Sequence, residues 1–185
     1  MMAKRWDAAV CIASGPSLTP EDVNLVRQSG VKTIAVNSSW KAAPFCDVIY
    51  AGDRVWWDAY GPEINIKAKR YTCSKTAARL HKAKYRARPI GAHYNSGMCA
   101  IDVAQHFGAQ TIILLGYDCS LANGVHHFGK HELTQNPTKT RVKEWQVQFR
   151  QLAKILKSRV INCSRYTEID CFERMDLEKA LCELT

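Results

Sequence analysis

No apolar run in this chain approaches the roughly 18 residues of a membrane-crossing helix. Its eight cysteines form no Cys-x-x-Cys pair, and neither Gly-x-Gly-x-x-Gly nor Gly-Lys-Ser/Thr occurs. The first absence removes a helical membrane protein. The second removes the spacing of a zinc site or a disulfide framework, so the cysteines are expected as reduced thiols within apolar segments. The third removes the usual dinucleotide fingerprint and the P-loop. There is no internal repeat or low-complexity stretch, and a start at Met1 to Asp7 that leads into a strand-like segment points to a cytoplasmic protein. Carboxylates are also scarce, 17 Asp and Glu against 26 Lys and Arg, a net charge of +9. The cations crowd into Lys67 to Arg70 and Lys75 to Arg88. This suits a nucleic acid or other polyanionic partner, or else a solvated basic face or the pocket of one anionic substrate.

What is present is a globular composition, 46% hydrophobic and 23% charged over 185 residues, enough for one buried core and one domain spanning 1–185. Apolar runs alternate with helical periods. Strands are expected at 8–13, 33–36, 46–51, around 70–73, at 111–115 and at 160–163. Helices are expected after Thr19, from Asp53 to Tyr60, from Ser96 to Phe107, from Lys139 to Lys157 and from Asp176 to Leu184. Thr19 reads as an N-cap with Pro20 at the first helical position and Asp22 at the capping-box position. Thr111–Leu115 has no polar alternation and reads as a central strand covered on both faces. The fold class is α/β: a single doubly wound, mostly parallel, Rossmann-like sheet with helices on both faces.

In such sheets ligands gather at the carboxyl ends of the strands. The first of these ends is Ser14-Gly15-Pro16-Ser17, where Gly15 lets backbone approach a phosphate and Ser17 with amides near the helix start can donate to it. A plain strand-to-helix turn is the bland alternative. Asn37-Ser38 follow the second strand and Asp53 the third. Asn95-Ser96-Gly97 precede a helix, with Ser96 also a fair N-cap, and Gly116-Tyr117-Asp118 follow the best strand. Taken singly, each can be a cap; together they outline a nucleotide site. Gly116 to Pro137 is a long loop with His126, His127 and His131, three imidazoles able to serve as general acid or base. Metal binding is the weaker reading, since there is no H-x-x-x-H on a helix and few carboxylates lie near. Trp56, Trp57 and Tyr60 read as core before they read as a wall for a base or sugar.

Ser14-Gly15-Pro16-Ser17-Leu18, Asn37, Asn95-Ser96-Gly97 and Gly116-Tyr117-Asp118, in that order, resemble the Rossmann-like sialyltransferases of glycosyltransferase family 42. They also resemble the related group of motility accessory proteins and 6-hydroxymethylpterin pyrophosphokinases. Gly116 through His131, Asn136-Pro137, Trp145 and Val160 to Ser164 look most like small bacteriophage-encoded members, which implies a host-cell cytoplasm. The resemblance runs from Cys11 to about Phe172. It implies that Gly15, Ser17, Asn37, Ser96 and Gly97 contact the phosphate and ribose of a nucleotide sugar, with a CMP-linked donor favoured. Two positions depart: Ser14 stands where those enzymes usually have Asn, and no His follows Asp118 at the distance of their base. Either the earlier cluster of His126, His127 and His131 replaces that base or the chemistry differs. The leading reading is a nucleotide-dependent glycosyltransferase. The alternatives are an ATP-dependent pyrophosphokinase with Mg²⁺ on Asp53 and Asp118, and a phage protein that binds nucleotide or nucleic acid without turnover.

Overall fold

The computed structural model describes residues 5–91, 94–124, 127 and 136–184. In chain order it contains β1 (Ala8–Ile12), α1 (Pro20–Ser29), β2 (Lys32–Val36), β3 (Val48–Tyr50), α2 (Arg54–Tyr60), β4 (Lys69–Thr72), α3 (Lys75–Leu80) and β5 (Lys84–Tyr85). It continues with α4 (Ser96–His106), β6 (Thr111–Leu115), α5 (Lys139–Ala153), β7 (Arg159–Asn162), β8 (Glu173–Arg174) and α6 (Leu177–Cys182). The strands lie in the order β5-β4-β3-β2-β1-β6-β7-β8. Every pairing among them is parallel, so the sheet goes beyond the mostly parallel one expected. The chain steps outward from β1 to β5, crosses back through α4, and steps outward again from β6. The reversal between β1 and β6 is the switch point at which a doubly wound sheet opens a crevice.

Alternation along the strands decides which helix covers which face. Ala9, Cys11, Ile34, Val36, Ile112 and Leu114 pack against Met98, Ile101 and Val103 of α4 and Phe149 and Leu152 of α5. On the opposite face Val10, Ile12, Ile113 and Leu115 meet Val23 and Val26 of α1 and Leu177 and Ala180 of α6, while Ala35 and Ile49 meet α2 and Ala77 of α3. Both faces are therefore closed, as the unbroken apolar runs of β1 and β6 require.

The helix ends carry their own signals. Thr19 caps α1 by accepting the Asp22 amide, and Gly30 ends it at φ +67°. Asp22 does not complete a capping box; its carboxylate takes both arms of Arg165 at 2.9 and 3.0 Å, tying α1 to the loop after β7. Asn95, not Ser96, caps α4. The α5 helix stops at Ala153 rather than Lys157, because the amides of Lys157 and Ser158 turn away to the side-chain carbonyl of Gln105. Trp56, Trp57 and Tyr60 are buried, which settles them as core, with Trp56 reaching the cleft described below. All eight cysteines are free thiols and five are buried. No helix among the described residues is long and apolar enough to cross a membrane.

Candidate functional site

The loops after β1 and β6 are stitched to each other. Ala13 N–H donates to the Leu115 carbonyl and Gly15 N–H to the Gly116 carbonyl, both at 2.8 Å. Asp118 then reaches across, and its two carboxylate oxygens take the Ser17 amide at 2.8 Å and the Ser17 hydroxyl at 2.5 Å. The glycines permit this approach. A Cβ on Gly15 would stand 2.1 Å from Asp118 Oδ1 and 2.4 Å from the Gly116 carbonyl oxygen. Gly116 itself sits at φ +67°, where a Cβ would be 2.5 Å from the Ala13 carbonyl oxygen. The expected anion cradle at Gly15 and Ser17 is thus already filled by an internal anion, the Asp118 carboxylate. Asp118 is only 2% exposed, and burial pushes its carboxyl above the ordinary range while the Ser17 hydrogen bonds pull it back.

The remaining strand ends open onto one cleft of about 550 Å³, within the usual range of small-molecule sites. Ser14, Gly15 and Pro16 form one rim, and Asn37, Asp53, Asn95, Ser96, Gly97, Gly116 and Asp118 line the rest. Ser17 and Ser38 lie outside it. Ser17 is turned to Asp118, and Ser38 is buried beneath, accepting from Trp56 Nε1 at 3.3 Å. Ser96 supports the floor, its hydroxyl accepting the Gly52 amide at 3.1 Å. Asn95 ties α4 to α5 through Gln148 at 3.0 Å. The Asp53 carboxylate accepts the Tyr94 hydroxyl at 2.7 Å, and burial, then Asp53, raises the Tyr94 phenol above its ordinary value.

Among the further lining residues Trp145 belongs to the motifs of the resemblance, whereas Tyr94, Arg141 and Ile169 carry no recognisable sequence signal. The packing of α5 over the strand ends brings Arg141 and Trp145 to the cleft, and the loop between β7 and β8 brings Ile169. Arg141 is the cation among the described lining residues. It sits in the first turn of α5 and makes a 3.2 Å ion pair with Glu144 on the solvent side. A backbone signal was equally hidden. Of three described non-glycine residues with positive φ, Asn37 and Cys119, both at +50°, line the cleft. Such conformations cost about 1–3 kcal/mol and concentrate at functional sites.

Among the expected histidines, His127 lies elsewhere. Its amide donates to the Ser14 carbonyl at 2.6 Å, and the residue lines a second, separate pocket of about 630 Å³ with Pro20, Val23 and Phe45. His126 and His131 lie outside the described residues. The described flanks of that segment, Leu121 and Asn136, both line the cleft.

The positive end of α4 is directed at this space. Met98 N–H is taken by Asn95 Oδ1 at 2.7 Å, whereas the amides of Ser96 and Gly97 have no partner among the described residues. With Arg141 opposite, they supply donors and positive potential for an anion. The carboxylates suit Mg²⁺ poorly: Asp118 has committed both oxygens to Ser17, and Asp53 has committed one to Tyr94. No cluster of three metal-ligating side chains occurs among the described residues.

No protein-family model and no curated protein matches this chain. Among solved structures it is similar to a UDP-glucose 4-epimerase with UDP-glucose from the hyperthermophilic eubacterium Thermotoga maritima. The identity is 10% and the TM-score 0.35, over 83% of this chain and 54% of that one. The chain thus spans about half the length of that enzyme. So loose a superposition says nothing of ligand or activity, and the Rossmann-like α/β fold rests on the strand order and the two covered faces.

Proposed function

We propose that this protein is a nucleotide-dependent transferase, a glycosyltransferase that takes a nucleotide-sugar donor in the cleft at the carboxyl ends of β1, β2, β3 and β6. One observation carries the reading: four strand ends and the open N-terminus of α4 converge on a single 550 Å³ space. The order of motifs resembling the family 42 sialyltransferases makes a CMP-linked sugar the first donor to test.

Of the two phosphate contacts the sequence suggested, the Gly15-Ser17 loop and Ser96-Gly97, the second is the one left open to a ligand. The Ser96 and Gly97 amides and Arg141 would hold the phosphate, while Gly15, Ser17 and Asp118 shape the loop against which it lies. Donors fixed before the ligand arrives stabilise the charge that develops on a leaving phosphate without reorganising. Asp53, oriented by Tyr94, presents a carboxylate oxygen to a sugar hydroxyl, and Trp145 offers an apolar wall. The acceptor's proton would go to a histidine of the loop, His126 or His131, a step typically worth about 10²–10⁴-fold. Phosphoryl transfer from ATP fits less well, because Asp118 is not available to a metal.

A thermal-shift screen across CMP, UDP, GDP, ATP and their sugars tests this, since a ligand that binds only the folded state raises Tm by mass action. Stabilisation by a nucleotide sugar, followed by release of free nucleotide on incubation with acceptors, is the expected result. Stabilisation by none of them would end this reading.

A further inference from the structure

From Ile64 to Ile101 the chain contains nine Lys and Arg and not one Asp or Glu. The remainder carries 17 cations and 17 carboxylates, so the whole net charge of +9 belongs to this one segment. The segment folds as β4, α3 and β5, and β5 is the outermost strand of the sheet. The charge is therefore gathered at one edge of the molecule.

It is also uncompensated there. Elsewhere cations meet carboxylates: Arg150 with Asp170, Arg159 with Glu173 and Glu183, Arg165 with Asp22. Within the segment Arg86 pairs with Asp102 and Arg88 lies 4.1 Å from the Tyr94 ring centroid. The other seven cations make no ion pair with any described residue. Lys75, Arg79, Lys82 and Lys84 are exposed, and between them stand two exposed apolar side chains, Leu80 at 55% and Tyr85 at 46%. Lys75 Nζ is 5.7 Å from the centroid of the Tyr85 ring.

A single lysine is enough to keep an edge strand from pairing with another chain, and seven unpaired cations go far beyond that need. We infer that the β4-α3-β5 edge is a binding site for single-stranded nucleic acid, with the cations tracking phosphates and Tyr85 stacking on a base. Exposed bases require the single strand, because a duplex hides its base faces from a surface ring. A membrane surface is a poorer match, since α3 is six residues long and offers no amphipathic face of useful size. The site is separate from the nucleotide cleft and does not depend on how that cleft is read, although Arg88 on Tyr94 joins the two surfaces.

The test is fluorescence anisotropy of the full chain with a labelled oligothymidylate of about 20 nucleotides, its duplex, and anionic phospholipid vesicles, across about 50–200 mM salt. With seven cations engaged, log K against log salt should fall with a slope near −5, at roughly 0.7 per phosphate neutralised on a single strand. The triple variant Lys75→Gln, Arg79→Gln, Lys82→Gln should lose at least about tenfold in affinity and about 2 from the slope. The control triple Lys143→Gln, Lys154→Gln, Lys157→Gln removes equal charge from exposed positions elsewhere and should change little. Tyr85→Ala should weaken single-strand binding at least about fivefold while leaving the salt slope unchanged. Equal losses in the two triples, tighter binding to duplex than to single strand, or binding to vesicles alone would each overturn the assignment. A nucleotide that raises Tm beside an oligonucleotide that fails to bind would sink the edge and leave the cleft standing.

Discussion

Gly15 and Asp118 show how closely the loops after β1 and β6 approach each other. A glycine in a strand-to-helix turn invites a phosphate, yet here it admits the carboxylate of the neighbouring loop. Gly15→Ala should therefore lower stability, not ligand affinity alone, by about 1–3 kcal/mol for an overpacked contact, measured by urea unfolding. An unchanged midpoint would mean that the Asp118 contact is not made in solution. Removing the other side of the contact should follow the same logic. Asp118→Ala leaves the Ser17 amide without its acceptor and should cost about 1–3 kcal/mol, with Asp118→Asn costing less because one acceptor oxygen survives. If Asn and Ala cost the same, the carboxylate is not what holds Ser17. Arg141 and Tyr94 could not be singled out from sequence, because an arginine in an amphipathic helix and a tyrosine in a loop have many roles; α5 packing over the strand ends selects the one, and the hydrogen bond to Asp53 across the strand ends selects the other.

At the scale of elements the strong periods were legible and the weak ones were not. β1, β6 and α4 have apolar patterns that no other arrangement satisfies, and Thr19-Pro20 and Gly30 mark the ends of α1. The α3 helix and the two-residue strands β5 and β8 escaped notice because they bury almost nothing themselves; β5 is exposed at both residues. The two strands take their place by pairing with β4 and β7, and α3 by seating the single side chain of Ala77 in the core, neither of which the sequence displays. The same limit applies to the histidine loop, where His127 is held to the Ser14 loop by one backbone hydrogen bond. His127→Ala is accordingly expected to leave nucleotide affinity within about twofold, as for a surface substitution away from the site. A tenfold loss by calorimetry would put this residue back among the ligand contacts.

Over the whole molecule two separations stand out: positive charge at the β5 edge, and ligand-facing groups at the switch point between β1 and β6. Acid should reveal the balance of the rest. Hydrogen bonds from His81, Arg150 and Arg159 hold the carboxyls of Asp58, Asp170 and Glu173 below the ordinary range. A folded pKa below the unfolded one gives stability at neutral pH that is lost as pH falls through the folded value. Asp118 runs the other way: burial raises its pKa, so it favours the fold more once protonated. Glu21 and Glu168 are lowered as well, by hydrogen bonds from backbone and neighbouring side chains, so five depressed carboxyls against one raised give a Tm that declines below about pH 4.5, modestly because the five are exposed. A Tm that rises in that range would reverse the assignment of these pairs.

The cleft is tested most directly by isothermal calorimetry of the best nucleotide sugar from the screen, on the native chain and on Arg141→Gln. Arg141 is exposed and its removal spares the core, so a lost contact is read as affinity and not as unfolding. A charge-assisted hydrogen bond to phosphate is worth about 1.5–3 kcal/mol. The variant should therefore bind at least about tenfold more weakly, with its Tm in the absence of ligand unchanged. Equal affinity for the two proteins, or no heat of binding from any nucleotide with the native chain, would contradict a phosphate held between α4 and Arg141.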